Sequence, residues 1–380
     1  MPKKLFVLAG EVSGDMHAAG VIAELLKAKP DIRVFGIGGQ KLQALGAELL
    51  YDTAQMSIMG FVDVLKHLFF LRRVFRDLKE AVLREKPDAA FLIDYPGMNL
   101  IMARFCHELG IPVIFYISPQ VWAWKEGRVK AIRRDVDRLL VIFDFEVDFF
   151  RCHGVTAEFV GHPVIEQLDE LSLPSRESFV KQHELAPETR LVGLLPGSRK
   201  QEIAHILPDM LKASRLLSRD YQVVFLIGRA PHLDEAAYHV LAQYPDLTFI
   251  NCSAYEVMQY SELALVTSGT ATLETLCFGL PMIVLYRTGR VNYLIGKQLV
   301  KLKNISLANI VAKGLGSSET AVPELLQHEA NGAEIYRQAR MILDDPELAA
   351  AMRRELLAAR DKLACSSPSN KVAGILQEYL

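Results

Sequence analysis

The chain has 380 residues, enough for about two to three domains of roughly 150 residues each. Hydrophobic residues make up 51% and charged residues 23% of the chain, which is typical of a folded protein and excludes a disordered chain, a collagen or a small disulfide-bonded domain. The 43 basic and 45 acidic side chains give a net charge of −2. A protein that binds nucleic acid with its whole surface is usually far more basic, so we expect no nucleic-acid partner.

Apolar runs and cysteines indicate the compartment. The longest uninterrupted apolar stretches, such as residues 89–93 and 139–143, are five residues long, whereas a membrane-spanning helix needs roughly 20. Glu11 ends the N-terminal apolar run before it reaches the length of a signal-peptide core. The five cysteines are scattered and form no CxxC pair, as expected of free thiols in a reducing compartment, and the ten histidines show no metal-binding spacing. We therefore predict a cytoplasmic protein without a metal site.

The N-terminal half alternates apolar strands with helices. Strands are predicted over residues 4–10, 33–39, 89–94, 113–118 and 138–144, with helices over 15–29 and 99–109. Continuous apolar runs separated by helices are typical of a parallel sheet that is buried on both faces. A more polar segment over residues 166–189, which contains Pro174 and Pro187, is predicted to be a linker with a helix that leads into a second domain.

The same alternation then restarts. Strands are predicted within residues 190–199, 221–228, 247–252, 263–270 and 280–287, and two helices over 346–363 and 370–379 close the chain. The pattern predicts an α/β protein with two Rossmann-like domains, residues 1–165 and 190–345, whose parallel sheets face a cleft. The closing helices over 346–380 are able to pack back on the first domain. Ligands of such sheets bind beyond the carboxyl ends of the strands, so the residues that follow the strands are the candidates for a site.

Two turns of small residues in the second domain indicate a phosphate site. The turn 268–270 opens a helix, whose unpaired N–H groups and dipole favour an anion, and Glu274 is placed to accept hydrogen bonds from a ribose diol. In the turn 197–199, Arg199 offers two parallel contacts to phosphate oxygens. The first turn alone is also typical of an ordinary helix start, and a lone surface arginine is usually solvated, but the pair of turns favours a nucleotide diphosphate ligand. The candidate nucleotide-binding residues are Gly197, Ser198, Arg199, Ser268, Gly269, Thr270 and Glu274.

The N-terminal turn GEVSGD, residues 10–15, also joins a strand to a helix. Neither it nor GIGG at 36–39 has the G-x-G-x-x-G spacing of a dinucleotide site, which disfavours an NAD enzyme. These glycines indicate either close approach of a substrate to the backbone or tight packing. We take Glu11, Ser13 and Gly14 as candidate acceptor contacts.

Three further features bear on chemistry. Asp94 follows a buried strand, where a carboxylate is well placed as a general base, or else caps the next turn. Trp122 and Trp124 follow another strand and either line an acceptor pocket or belong to the core. The DVD sequence at 135–137 resembles a metal-binding DxD, but its position favours a solvated helix end.

Residues 64–86 carry seven Lys or Arg against three Asp or Glu, an excess of +4. Their apolar residues recur at helical spacing, so the segment is predicted to be a basic amphipathic helix that contacts a membrane surface or acyl chains, or an ordinary packed helix with solvated charges. The candidate lipid contacts in and before it are Met59, Phe61, Leu68, Phe69 and Leu71.

Seven motifs, in order from residue 10 to about 310, closely resemble the lipid-A-disaccharide synthase family, glycosyltransferase family 19. They are GEVSGD, IDYPGMN, YISPQVWAWK, FVGHP, LLPGSRKQEI, SGTATLE and IVLYR. The resemblance implies a GT-B fold, a cytoplasmic protein at the inner face of the bacterial inner membrane, and inverting transfer of 2,3-diacylglucosamine from UDP to the 6-hydroxyl of 2,3-diacylglucosamine 1-phosphate. It implies that Asp94 is the base, that Arg199 and Glu274 bind UDP, and that Asn309 is a further site residue.

Three positions depart from the family pattern, which usually has Phe at Met98, Arg at Lys125 and Pro at Ala308. We expect them to affect acceptor shape or loop rigidity. The implied mechanism needs neither a metal nor a cofactor. Two alternatives stay open, a UDP-N-acetylglucosamine 2-epimerase-like isomerase and a nucleotide-sugar-binding protein without catalysis, and so does a homo-oligomeric state.

Overall fold

A computed structural model of the chain describes residues 2–56, 68–289 and 302–380. The chain divides into two compact units: the first contains Met1–Gln167 and Leu363–Leu380, and the second contains Leu168–Lys362. In both units every paired strand is parallel to its neighbour, and helices connect the strands. The predicted α/β class with two Rossmann-like parallel sheets is confirmed.

The first unit has a seven-stranded sheet in the order β3-β2-β1-β4-β5-β6-β7. Its strands are β1 Lys4–Ala9, β2 Arg33–Gly38, β3 Glu48–Asp52, β4 Ala89–Ile93, β5 Val113–Tyr116, β6 Arg138–Val141 and β7 Ala157–Phe159. The described α-helices that begin before residue 168 are α1 Val12–Ala28, α2 Gln40–Ala44, α3 Thr53–Met56, α4 Leu68–Glu85, α5 Pro96–Glu108, α6 Val129–Asp135, α7 Asp144–Cys152 and α8 Val164–Asp169. All residues of β4 and β5 are buried, as expected of strands covered on both faces.

The second unit has a six-stranded sheet in the order β10-β9-β8-β11-β12-β13. Its strands are β8 Arg190–Leu195, β9 Val223–Gly228, β10 Phe249–Cys252, β11 Leu263–Thr267, β12 Met282–Tyr286 and β13 Glu324–Leu326. The remaining helices are α9 Arg176–Gln182, α10 Lys200–Asp220, α11 Ala254–Tyr260, α12 Thr270–Cys277, α13 Leu307–Lys313, α14 Gly332–Asp344, α15 Pro346–Asp361 and α16 Pro368–Gln377. The last of these, α16, packs on α1 within the first unit.

Both sheets reverse their strand order beside the first strand of the unit. In the first unit β1 lies between β2 and β4, and in the second β8 lies between β9 and β11. The chain therefore leaves these central strands in opposite directions, which opens a crevice at their carboxyl ends. The loops after β1 and β4, and after β8 and β11, border these two crevices.

The GEVSGD and GIGG turns are held together by one carboxylate. Asp15 is buried, and its Oδ1 accepts hydrogen bonds from the N–H groups of Gly39 at 2.7 Å and Leu42 at 3.2 Å, while Oδ2 accepts from Lys41 at 3.1 Å. A Cβ atom on Gly10 would lie 2.4 Å from the ring of Tyr95, so this position requires glycine. Tight packing thus accounts for Gly10, and the N–H groups of residues 39, 41 and 42 that face Asp15 are already bonded.

The basic segment predicted over 64–86 is described from residue 68, where α4 begins. Val74, Leu78 and Val82 are fully buried in the core of the first unit, whereas Phe69 is 79% exposed and Leu71 is partly buried against that core. The side chain of Leu68 and both Met59 and Phe61 lie outside the described residues. Of the helices that are described, none combines the length and apolar composition that a membrane crossing requires.

Asp15→Asn tests the role of the buried carboxylate. The substitution places an amide N–H₂ where one carboxylate oxygen accepts a bond, so we expect the free energy of unfolding to fall by about 1–3 kcal/mol. Urea denaturation measures the change, and Asp31→Asn, at an exposed aspartate of the same unit, is the control. Equal stability of the two variants would contradict a capping role for Asp15.

Candidate functional site

A cavity of about 470 Å³ lies at the carboxyl ends of β8, β9, β10 and β11 in the second unit. The cavity includes the crevice between β8 and β11, where the strand order reverses. Seven of the eight residues predicted to bind the nucleotide sugar line it, namely Gly197, Ser198, Arg199, Ser268, Gly269, Thr270 and Glu274. The two small-residue turns therefore lie at one cavity, as their positions after parallel strands predict.

The turn after β8 is shaped by a glycine and a glutamate. Gly197 has a φ of +107°, a conformation that L side chains rarely adopt, and a Cβ atom there would lie 2.7 Å from Oε2 of Glu202. Glu202 accepts hydrogen bonds from the N–H groups of Ser198 and Arg199, and its Oε1 lies 2.8 Å from Nη1 of Arg199. The Arg199 side chain is 81% exposed, so it can leave this ion pair for a ligand at little cost.

The turn after β11 leads into α12 with no capping side chain. Gly269 is the N-cap of this helix and supplies no side-chain acceptor for the N–H groups of the first turn. Glu274 follows on the same helix, and the hydroxyl of Tyr255 donates a 3.2 Å hydrogen bond to its Oε1. Burial raises the pKa of Glu274 above its ordinary value. The lining thus offers backbone donors that bond no other described residue, beside a partly desolvated carboxyl group.

Two buried polar atoms of the lining have no hydrogen-bond partner among the described residues. They are Oγ1 of Thr267, at the end of β11, and Nε of Arg229, directly after β9. The guanidinium of Arg229 stacks over the ring of Tyr238 at 5.0 Å and contacts Glu235 at 3.3 Å. Buried polar groups are normally bonded, so these atoms point to a polar ligand in the cavity.

Asn309 is the exception among the predicted nucleotide-sugar residues, because it is fully buried and does not line the cavity. Its Nδ2 donates to the carbonyl of Val322 and to Oε1 of Glu324, and its Oδ1 accepts from the N–H groups of Ala321 and Val322. All four hydrogen bonds that an asparagine amide makes are therefore used inside the protein. In this structure Asn309 ties α13 to the segment before β13.

Asp94 directly follows β4 in the first unit, at the crevice beside β1. It lines a cavity of about 270 Å³, and both Asp94 and Tyr95 have left-handed backbone angles, with φ of +47° and +45°. The amide of the buried Asn99 holds this turn by donating to the carbonyl groups of Ile93 and Asp94. Burial, and then the negative charge of Glu11, raise the pKa of Asp94 to about 6.

A further strained backbone angle occurs in the part of the cavity lining that follows β5. Ile117, a β-branched residue after β5, has a φ of +61° and lines the same cavity. This conformation is a genuine outlier for a β-branched residue, and such outliers cluster at functional sites. The loop 118–121 follows it and completes this side of the cavity.

Glu146 anchors that loop and was missed by the sequence analysis. Its Oε1 accepts hydrogen bonds from the hydroxyl of Ser118 at 2.7 Å and from the indole N–H of Trp122 at 3.0 Å, and its Oε2 accepts from the N–H of Phe143 at 3.2 Å. Glu146 is buried in the lining, and burial raises its pKa to about 7. The only sequence signal was an acidic residue in the first turn of α7, which is equally typical of an ordinary helix start.

The two tryptophans have different surroundings. Trp122 is buried and bonded to Glu146, whereas Trp124 is 44% exposed and lines the cavity with Asp94. Glu11 and Ser13 are exposed at the start of α1, and Gly14 is buried against Ala9.

The DVD sequence is structural in the described chain. Asp135 is buried beside the guanidinium of Arg134, and Oδ2 of Asp137 accepts a 2.8 Å hydrogen bond from the N–H of Val113. These carboxylates fix the start of β5 and the end of α6.

Solved structures with the same architecture show the fold. A putative UDP-N-acetylglucosamine 2-epimerase from Listeria monocytogenes aligns with a TM-score of 0.64 at 13% identity and covers 100% of this chain and 97% of that one. The calicheamicin glycosyltransferase CalG4 aligns with a TM-score of 0.59 at 13% identity, over 100% of this chain and 98% of that one. The fold is therefore of the GT-B type, which both isomerases and glycosyltransferases use.

Sequence comparison resolves the family. A family model described as lipid-A-disaccharide synthetase matches residues 5–373. A lipid-A-disaccharide synthase from Geobacter sulfurreducens is 38% identical over 99% of this chain and 97% of that protein. One from Syntrophus aciditrophicus is 40% identical over 98% of this chain and 96% of that protein. The chain belongs to the lipid-A-disaccharide synthase family and is a glycosyltransferase of lipid A biosynthesis.

Proposed function

We propose that the protein transfers 2,3-diacylglucosamine from UDP to the 6-hydroxyl of 2,3-diacylglucosamine 1-phosphate, with inversion and release of UDP. The observation that carries the proposal is the lining of the 470 Å³ cavity, which combines two phosphate-type turns, a half-buried carboxyl group and buried donors that no described residue bonds. These are the groups that a nucleoside diphosphate needs. Family membership supports the sugar and the lipid acceptor.

In the proposed reaction Asp94 is the general base. It takes the proton of the acceptor 6-hydroxyl while that oxygen forms a bond to the anomeric carbon of the donor sugar. The bond from this carbon to the diphosphate oxygen breaks, and UDP leaves with the bonding electron pair. A base with a pKa near 6 is ionised at neutral pH and still basic enough to accept a proton, which is the range that general bases require.

The second unit stabilises the charge that grows on the diphosphate. The first-turn N–H groups of α12 are donors that are already in place when the bond breaks, so they need little reorganisation. Arg199 joins them when it leaves its exposed ion pair with Glu202 for the bound diphosphate. Arg229 adds a cation that sequence analysis had not identified. Glu274 accepts from the ribose hydroxyls, since its carboxylate has only one side-chain hydrogen bond among the described residues.

We further propose that α4 holds the enzyme on the inner face of the bacterial inner membrane. The exposed Phe69 and the arginines at 72 and 73 lie in the first two turns of the described helix, and all three are largely exposed. An apolar side chain flanked by cations is suited to an anionic lipid surface. The buried face of the helix stays in the core of the first unit.

Mass spectrometry of the products tests the function. With UDP-diacylglucosamine and the monosaccharide phosphate lipid, we expect a lipid disaccharide phosphate and UDP. Asp94→Asn keeps the shape of the side chain but cannot accept the proton, so turnover should fall by about 10²–10⁴-fold while UDP binding is retained. An isomerised UDP-sugar without disaccharide would instead favour the epimerase alternative.

The same base predicts a pH dependence. Below a pH of about 6 Asp94 is protonated and cannot accept the proton, so kcat/KM should fall as the pH drops through this value. Glu11→Gln removes the neighbouring negative charge, which lowers the pKa of Asp94, so kcat/KM should fall at a lower pH than in the parent. A fall of kcat/KM at the same pH in the parent and in Glu11→Gln would count against Asp94 as the titrating base.

UDP binding tests the second unit. Glu274→Ala removes a partly desolvated carboxyl group, and we expect UDP to bind about ten- to a hundredfold more weakly. Arg199→Ala should weaken UDP binding by only about three- to tenfold, because solvent screens the charge of an exposed side chain. Calorimetric titration measures both, and Arg219→Ala, an exposed arginine at the opposite end of α10, is the matched control. Unchanged affinity in both test variants would place the nucleotide elsewhere.

Vesicle sedimentation tests the membrane proposal. Inserting a phenylalanine contributes about 1.5–3 kcal/mol, so Phe69→Ser should reduce binding to anionic vesicles by about tenfold or more without changing the melting temperature. Leu83→Ser, at an exposed apolar residue near the other end of α4, is the control and should bind as the parent does. Val74→Ser changes a buried residue of the same helix and should lower the melting temperature instead. Equal sedimentation of Phe69→Ser and the parent would remove Phe69 from the contact.

A further inference from the structure

A short turn after the second tryptophan gathers two cations on one aromatic ring. Nζ of Lys125 lies 4.3 Å from the ring centre of Trp124, and Cζ of Arg128 lies 5.7 Å from the same centre. Lys125 has a left-handed φ of +58°, and its carbonyl accepts a hydrogen bond from the N–H of Arg128, so the backbone itself bends the two cations towards each other. Both side chains thus contact one partly exposed indole.

No carboxylate among the described residues forms an ion pair with Lys125 or Arg128, although those residues form 30 ion pairs in all. The neighbouring carboxylate, Glu126, lies 2.8 Å from Nε2 of His153. Two like charges held beside one ring repel each other, and the ring only partly offsets this repulsion. An anion placed between them would stabilise the arrangement, and a phosphate suits it best because a guanidinium forms parallel hydrogen bonds to its oxygens.

The turn also borders the cavity of the proposed base. Arg128 and Trp124 line the same cavity as Asp94, whose other lining carboxyl group, Glu146, is buried and bonded to the loop 118–122. The lining of this cavity therefore combines two carboxyl groups with one cation, Arg128, and Lys125 adds a second cation on the indole of Trp124. A ligand that fits this charge pattern carries a hydroxyl group for Asp94 and an anionic group for the cations.

We propose that Trp124, Lys125 and Arg128 form a phosphate subsite that binds the phosphomonoester of the acceptor. This inference rests on the proposed function, in which the acceptor is a sugar with a free hydroxyl and a phosphate. The subsite makes the enzyme select a phosphorylated acceptor over the same lipid without its phosphate. It also orients the acceptor, because the anchored phosphate limits which hydroxyl reaches Asp94.

The first experiment compares acceptors in the transfer reaction. In the parent, removing the acceptor phosphate should raise the acceptor KM by about tenfold or more. The double variant Lys125→Gln, Arg128→Gln should raise KM for the phosphorylated acceptor by a similar factor and abolish this preference, with the donor KM unchanged. The conservative double variant Lys125→Arg, Arg128→Lys should keep the preference. Lys130→Gln, an exposed lysine on the next helix, is the matched control and should behave as the parent does.

The second experiment measures binding without turnover. The chain has two tryptophans, and Trp124 is the exposed one, so its fluorescence reports on the subsite. Glucosamine 1-phosphate should change the fluorescence at lower concentration than glucosamine, and added salt should weaken the effect because exposed charges are screened. Melting curves verify that each variant is folded.

The outcomes separate the two proposals. Selective binding of glucosamine 1-phosphate without any transfer would support the subsite and overturn the proposed function. Transfer with equal KM for both acceptors, or a double variant that keeps the parental preference, would overturn the subsite and leave the proposed function standing.

Discussion

The parallel arrangement of both sheets is the constraint on which the candidate sites depend. Parallel neighbours cannot be joined by tight hairpins, so each connection crosses the sheet and the strands end at one common edge. In the second unit this edge collects the loops after β8, β9, β10 and β11 around one cavity, although their residues are far apart in the chain. In the first unit the same geometry brings the loops after β4, β5 and β6 around Asp94. The central position of β1 and β8 then decides where along each edge the crevice opens.

The first unit adds backbone strain to this geometry. Asp94 and Ile117, which line one cavity, and Tyr95 next to Asp94 have left-handed backbone angles, each of which costs on the order of 1–3 kcal/mol. Such angles persist only where the surroundings impose them. Asn99 holds the first turn and Glu146 holds the loop after the second. If Asp94 is the base, as proposed, it loses little conformational entropy when the substrate binds, because its backbone is already fixed by bonds that do not involve the substrate.

Much of the fold could be predicted because most central strands are continuous apolar runs. The strands that were not predicted, β3, β7 and β13, are short, lie at sheet edges, and are only partly buried. An edge strand has one neighbour and needs fewer apolar residues, so it leaves a weaker pattern in the sequence. The residues of the candidate sites likewise divide into those that the sequence could predict and those that it could not. Turns of small residues were recognisable, whereas Arg229 and Glu146 gain their roles from burial and from partners distant in the chain, which spacing cannot reveal.

Hydrogen-bond saturation separates structural residues from candidate ligand residues where motif membership alone does not. Asp15 belongs to one of the motifs through which the chain resembles the family, and Asn309 was expected at the nucleotide site, yet both use their side-chain bonding capacity on the protein backbone and on neighbouring side chains. Thr267 and Arg229 stand in no motif that was recognised, yet each keeps a buried polar atom in the cavity lining that no other described residue bonds. An unbonded buried donor costs free energy in the empty protein, and a ligand that accepts the bond recovers this cost. The same reasoning applies to Lys125 and Arg128, which form no ion pair with a carboxylate in the described part of the chain, because their mutual repulsion is relieved when an anion binds.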